Sequence, residues 1–136
     1  MENKIKHLEM IQEIINRMSN NSFMLKGWAV TLVAGIFALS SKDTDKMYFL
    51  FVYIPIIVFW GLDSYYLLQE RLYRELYKKI CSTKETDIDF SLSASKKEFG
   101  SRRNCYLACF ISWTESCFYF PLALICTGIM YITQVL

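Results

Sequence analysis

Histidine is nearly absent from this 136-residue sequence, which holds only His7. Hydrolytic and nucleophilic sites need a base held beside a nucleophile, and one histidine gives little to build one from. The five cysteines (Cys81, Cys105, Cys109, Cys117, Cys126) form no CxxC pair and lie far from His7, which argues against a zinc site within one chain. Glycine (five) and proline (two) are sparse, and no Gly-rich phosphate loop, paired-His motif or GxSxG is present. No catalytic residue, metal or other cofactor is expected. The start, MENKIKHLEM, lacks the apolar core and cleavage site of a signal peptide, so the N-terminus is expected to be retained. An excess of either charge is missing too: fifteen Lys and Arg against thirteen Asp and Glu leave +2, and no direct nucleic-acid binding is expected.

What the chain has is apolar residues, 54% of the total and 16% aromatic, gathered in blocks. Sustained apolar stretches of about 18 or more residues call for a hydrocarbon solvent. The expected fold class is an all-α membrane protein with three transmembrane helices. Residues 1–22 read as an N-terminal amphipathic helix, with Ile5, Leu8, Ile11, Ile15 and Met18 at three- and four-residue spacing. Its mixed charges favour docking on protein over lying on lipid.

Residues 23–40 form the first expected span, apolar except for Lys26, whose stem can reach toward the headgroups beside Trp28. Small residues at Gly27, Ala34 and Gly35 would let another helix approach closely. SKDTDK at 41–46 is a tight polar connection. The second span opens at residue 47, with a kink expected near Pro55, and continues as a cytoplasmic helix to residue 80. Unbroken, residues 47–80 would reach about 50 Å at 1.5 Å per residue. The row Leu72, Leu76, Ile80 is a candidate subunit contact. Glu70 with Arg74 and Glu75 with Lys79 have the spacing of helix ion pairs.

Residues 81–104 form an expected cytoplasmic loop with one short helix at 95–99. Residues 105–136 form the third span, with Pro121 inside it and Trp113, Tyr119 and Tyr131 suited to the two interfaces. Cys105 and Cys109 would share a helix face, as packed small residues or as a redox pair.

Lysine and arginine number four up to and including Lys26, two in the first connection and nine between the second and third spans. The positive-inside rule places the N-terminus and residues 69–104 in the cytoplasm and the C-terminus outside. Lys78, Lys79, Lys96, Lys97, Arg102 and Arg103 are then candidates for contact with anionic lipid headgroups. Lys26, Asp63 and Glu115 all fall toward the cytoplasmic face. Ionisable groups in a membrane are costly and usually paired, so Lys26 with Asp63 is the preferred pair. The three are candidates either for a pore lining or gate, or for a structural ion pair.

The strings NRMSNNSFMLKGWAVTLVAGIFAL (16–39) and PIIVFWGLDSYYLLQERLYRELY (55–77), with FYFP (118–121) more loosely, resemble the RipA-like family of small octameric bacterial membrane proteins. That family includes a pore-forming accessory of RNA-targeting CRISPR immunity. The resemblance implies a homo-oligomeric ring, an octamer, in the bacterial inner membrane that compromises membrane integrity in antiphage defence. Some relatives carry an arginine followed by a histidine in an RNase-type motif; here no histidine follows any arginine. The expected function is an oligomeric membrane effector or pore. The alternative is a non-conducting anchor or scaffold that recruits a soluble defence or regulatory partner.

Overall fold

The structure, a computed structural model, describes residues 1–39, 46–94 and 105–135. Every regular element among them is helical: α1 (Glu2–Leu39), α2 (Lys46–Leu50), α3 (Tyr53–Ser82), a 3-10 turn (Glu85–Asp87), α4 (Tyr106–Phe110) and α5 (Trp113–Val135). Three stretches are long and apolar enough to cross a membrane: α1, residues 47–82, and α5 up to Thr133. Their most apolar windows are mostly uncovered, with 11%, 28% and 11% of residues buried, respectively. Phe23, Ile57, Leu124 and Trp113 are among the large side chains left exposed. A continuous apolar exterior of this kind needs lipid or protein around it.

The expected amphipathic helix at 1–22 is not a separate element. It is the first half of α1, which runs without a break through the expected first span for 38 residues, roughly 57 Å at 1.5 Å per residue. Ile11, Ile15, Ala29 and Val33 lie buried along this one helix. The expected apolar row needs one change: Ile5 is exposed, and His7 takes an inward place near that end. α1 packs along α3, and its N-terminal end is tied to the chain beyond α3. The Met1 ammonium pairs with Glu85. Lys4 Nζ donates to the Thr83 carbonyl at 2.8 Å, setting a cation by the negative end of the α3 dipole.

Pro55 acts upstream of its own position. Lacking an N–H, it leaves the Phe51 carbonyl without its helical donor. Between α2 and α3, the Phe51 and Val52 N–H groups bond three residues back, to Tyr48 and Phe49, at 3.1 and 3.2 Å. Val52 keeps helical angles (φ −61°, ψ −35°), so the hydrogen-bond ladder is interrupted although that residue stays in the helical region. The expected single third span over 105–136 is divided as well. α4 ends at Phe110, and α5 begins after Ser112, whose Oγ accepts the Glu115 N–H at 3.5 Å. The string Ser112-Trp-Thr-Glu115 has the spacing of a capping box.

Leu72, Leu76 and Ile80 are buried, Leu76 and Ile80 in a cluster with Ile11, Ile15 and Ile88 and Leu72 with Leu68 and Cys109. The row is therefore covered within one chain and is not a free subunit contact. A row four residues apart on a long helix shows that a face is covered, not which helix covers it. Residues 83–94 run back over this layer: Ile88 joins the cluster, and Phe90, at φ 55°, sets its ring 5.4 Å from the His7 ring. The turn at 41–45 and the short helix at 95–99 lie outside the described residues. Leu76→Ala is expected to lower stability by about 2–5 kcal/mol, against a change within about 0.5 kcal/mol for Ile5→Ala, measured by thermal unfolding in detergent.

Candidate functional site: a buried polar cluster between the spans

The interior of the three long helices is apolar at one end, where Ala29, Val33, Val52, Ile56, Tyr119 and Cys126 form a cluster. At the edge of that cluster the helices turn polar residues on one another. Ser22 and Lys26 stand one turn apart on α1, Asp63 and Ser64 lie on α3, and Glu115 and Tyr119 stand one turn apart on α5. The spacing of four puts Ser22 with Lys26, and Glu115 with Tyr119, on one face of their helices. Asp63, Ser64, Glu115 and Tyr119 are all at most 1% exposed.

Asp63 is the centre. One carboxylate oxygen accepts from the Ser22 hydroxyl, and the other accepts from Lys26 Nζ and, at 3.1 Å, from the Tyr119 hydroxyl. Lys26 also donates to Ser22 Oγ at 3.1 Å and reaches Glu115 Oε1 at 3.5 Å. Its ammonium lies 5.8 and 6.0 Å from the Phe118 and Tyr119 ring centres, within cation–π range. Ser64 donates to the Trp60 carbonyl one turn back at 2.7 Å and takes no part in the cluster's charge pairing.

Aromatic rings hold α5 in place. Trp60 lies between Phe110 and Tyr119, with ring centres 4.5 and 5.8 Å away and planes within 9° of parallel. Its indole N–H donates to the Phe110 carbonyl at 2.9 Å, giving a partner to a backbone group where α4 ends. Tyr106 donates to the Gly61 carbonyl at 2.8 Å, and a β-carbon at Gly61 would meet that hydroxyl at 3.1 Å. Gly61 thus lets α4 close onto α3.

A polar groove of about 500 Å³ opens beside the cluster, lined by Ser19, Ser22, Leu67, Thr114, Glu115 and charged residues of the α3 extension. Arg74 pairs with Glu70 at 2.6 Å, as the spacing predicts. Glu75 pairs with Lys78 at 3.3 Å, three residues on. The sequence pair Lys26 and Asp63 is in direct contact, and Glu115 joins it. Lys26 turns inward rather than toward the headgroups, its side chain 17% exposed. Tyr119, expected at an interface, is wholly buried, while Trp113 and Tyr131 are exposed.

Ser22 and Tyr119 are the members that sequence reasoning missed. The available signal was their spacing, four residues from Lys26 and from Glu115. Gly27, Ala34 and Gly35 are exposed, and β-carbons on the two glycines would meet nothing within 4 Å. Lys78 and Lys79 are exposed; Lys96, Lys97, Arg102 and Arg103 lie outside the described residues.

None of the five cysteines is in a disulfide. Burial pushes the Cys109 thiol up, opposed by the Arg71 guanidinium, which donates to its sulfur at 3.6 Å. That favours the thiol over the reactive thiolate and a packing role. Among the described residues no group of three or more His, Cys, Asp or Glu side chains is placed to hold a metal ion.

No protein-family model, curated protein or solved structure matches the chain. The site therefore rests on its own geometry. Removing one member of a buried ion pair leaves the other uncompensated, so Lys26→Met is expected to cost about 3–5 kcal/mol. Adding Asp63→Asn should recover a substantial part of that loss. Thermal unfolding of the two single variants and the double variant checks this, and simple additivity would count against the pairing.

Proposed function

We propose that this chain is a multi-pass protein of the bacterial inner membrane that assembles into a homo-oligomeric ring and perturbs membrane integrity in antiphage defence. The observation that carries the reading is the buried polar cluster where three apolar helices meet. Polar groups at that depth are expensive and are commonly kept for function. Tyr119, Trp60 and the apolar cluster fill the interior of one copy among the described residues, so a conducting path calls for several copies.

The open face at Gly27, Ala34 and Gly35 supports close approach by a neighbouring helix. The octamer and the defence setting come from the likeness of residues 16–39 and 55–77 to the RipA-like proteins. The cytoplasmic N-terminus and loop follow from the count of positive residues between the second and third spans. Lys26, Asp63 and Glu115 are the proposed gate.

A second reading has its own observation. The α1 and α3 extensions, with residues 83–94 over them, bury a core of their own around Ile11, Leu76 and Ile88. Such a layer suits a non-conducting scaffold that holds a soluble partner at the membrane.

Dye entry and depolarisation on expression, and dye leakage from proteoliposomes, separate the two. A pore admits dye; a scaffold leaves the membrane sealed. Gly35→Leu meets no atom of its own chain at the β-carbon, so it should insert normally and abolish leakage by blocking subunit approach. Asp63→Asn tests the gate: unchanged conductance in an assembled variant would remove that role. Cys81, exposed at the end of α3, should react with an impermeant maleimide only from the cytoplasmic side.

A further inference from the structure

One ammonium serves two buried carboxyl groups in the cluster, and it serves them unequally. Asp63 receives three donors from two helices: Ser22, Lys26 and Tyr119. Glu115 receives one side-chain donor, Lys26 at 3.5 Å on Oε1, and its carboxyl lies beside that of Asp63. Its Oε2 is buried with no hydrogen-bond partner, although the residue lines the polar groove.

With both carboxyls ionised, the cluster would hold an uncompensated negative charge and a buried carboxylate oxygen that no donor satisfies. Burial of an unpaired charge is far more costly than burial of a neutral acid. A metal cation is a poor remedy, because hard cations take several oxygen ligands and those of Asp63 are already occupied by donors. A single proton balances the charge and needs no coordination shell.

We propose that Glu115 is a proton-binding site that exchanges with the polar groove. In the arrangement seen here Glu115 is a neutral acid and Lys26 belongs to Asp63. On release, the O–H bond of Glu115 breaks, the proton passes to water in the groove, and the new carboxylate competes with Asp63 for Lys26. Because Lys26 lies on α1, Asp63 on α3 and Glu115 on α5, the proton sets how three helices share one positive charge.

The other ionisable groups around Glu115 are Tyr119 on its own helix, Cys109 on α4, and, at the groove, Glu70, Arg71, Arg74, Glu75 and Lys78 of α3. Arg71 is engaged with the Cys109 sulfur. The inference rests on the long helices lying in lipid, and it stands whether or not the assembly conducts.

Infrared spectroscopy of the purified protein in lipid at neutral pH reads the proton directly. The expected result is one protonated-carboxyl carbonyl band that shifts in heavy water and is lost in Glu115→Gln, a variant that keeps the neutral shape. Asp63→Asn should also remove the band although Glu115 is present, because Lys26 then has a single carboxyl to neutralise it. A wild-type spectrum without the band, or a band that survives Glu115→Gln, overturns the proposal. A band that persists in Asp63→Asn overturns the sharing of one ammonium. Circular dichroism of each variant confirms the fold, and a sealed liposome in the leakage assay would refute the pore without touching this result.

Discussion

Asp63 is a carboxylate with no accessible surface in a helix apolar enough to cross a membrane, and it is held there by donors from two other helices. Such a group must be paired or it will not stay ionised. Satisfying it fixes the rotation of α1, which must present Ser22 and Lys26, and of α5, which must present Tyr119. The remaining structure follows from that constraint. Trp60, one turn before Ser64, stacks on Phe110 and on Tyr119, so the ring that locks α5 and the end of α4 against α3 also packs on the tyrosine that donates to Asp63.

The chain is organised in layers along α1 and α3. At one end the helices bury Val33, Val52 and Ile56 among apolar neighbours; at the other they bury Ile11, Leu76 and Ile80, with residues 83–94 crossing over. The polar cluster sits between. Its carboxyls therefore have a packed apolar region on one side and a polar groove on the other. The two ends differ in what surrounds them. Large apolar side chains such as Ile57 and Leu124 stand exposed on the spans, while Arg74 and Lys78 line the flank of the α3 extension, each paired with a glutamate.

Much of this was legible from composition. Long apolar runs broken by SKDTDK and by residues 81–104 mark the helices, because lipid demands uninterrupted apolar length. A charged residue inside such a run stands out, so Lys26, Asp63 and Glu115 could be found without coordinates. Hydroxyl groups do not stand out in the same way. Ser22 and Tyr119 are ordinary residues for a membrane helix, and only their partners give them a role.

By itself the sequence determined that three apolar stretches are helices long enough to cross a membrane, and which ionisable residues must find partners, since these depend on local apolar length and on the cost of charge in lipid. The tertiary structure decided the pairings. It brought Ser22, Tyr119 and Glu115 to the expected Lys26–Asp63 pair, turned Leu72, Leu76 and Ile80 onto the chain's own helices, and moved the break near Pro55 upstream to the carbonyl that proline leaves without a donor. Which face meets which depends on how three helices rotate together, and no periodicity within one helix contains that information.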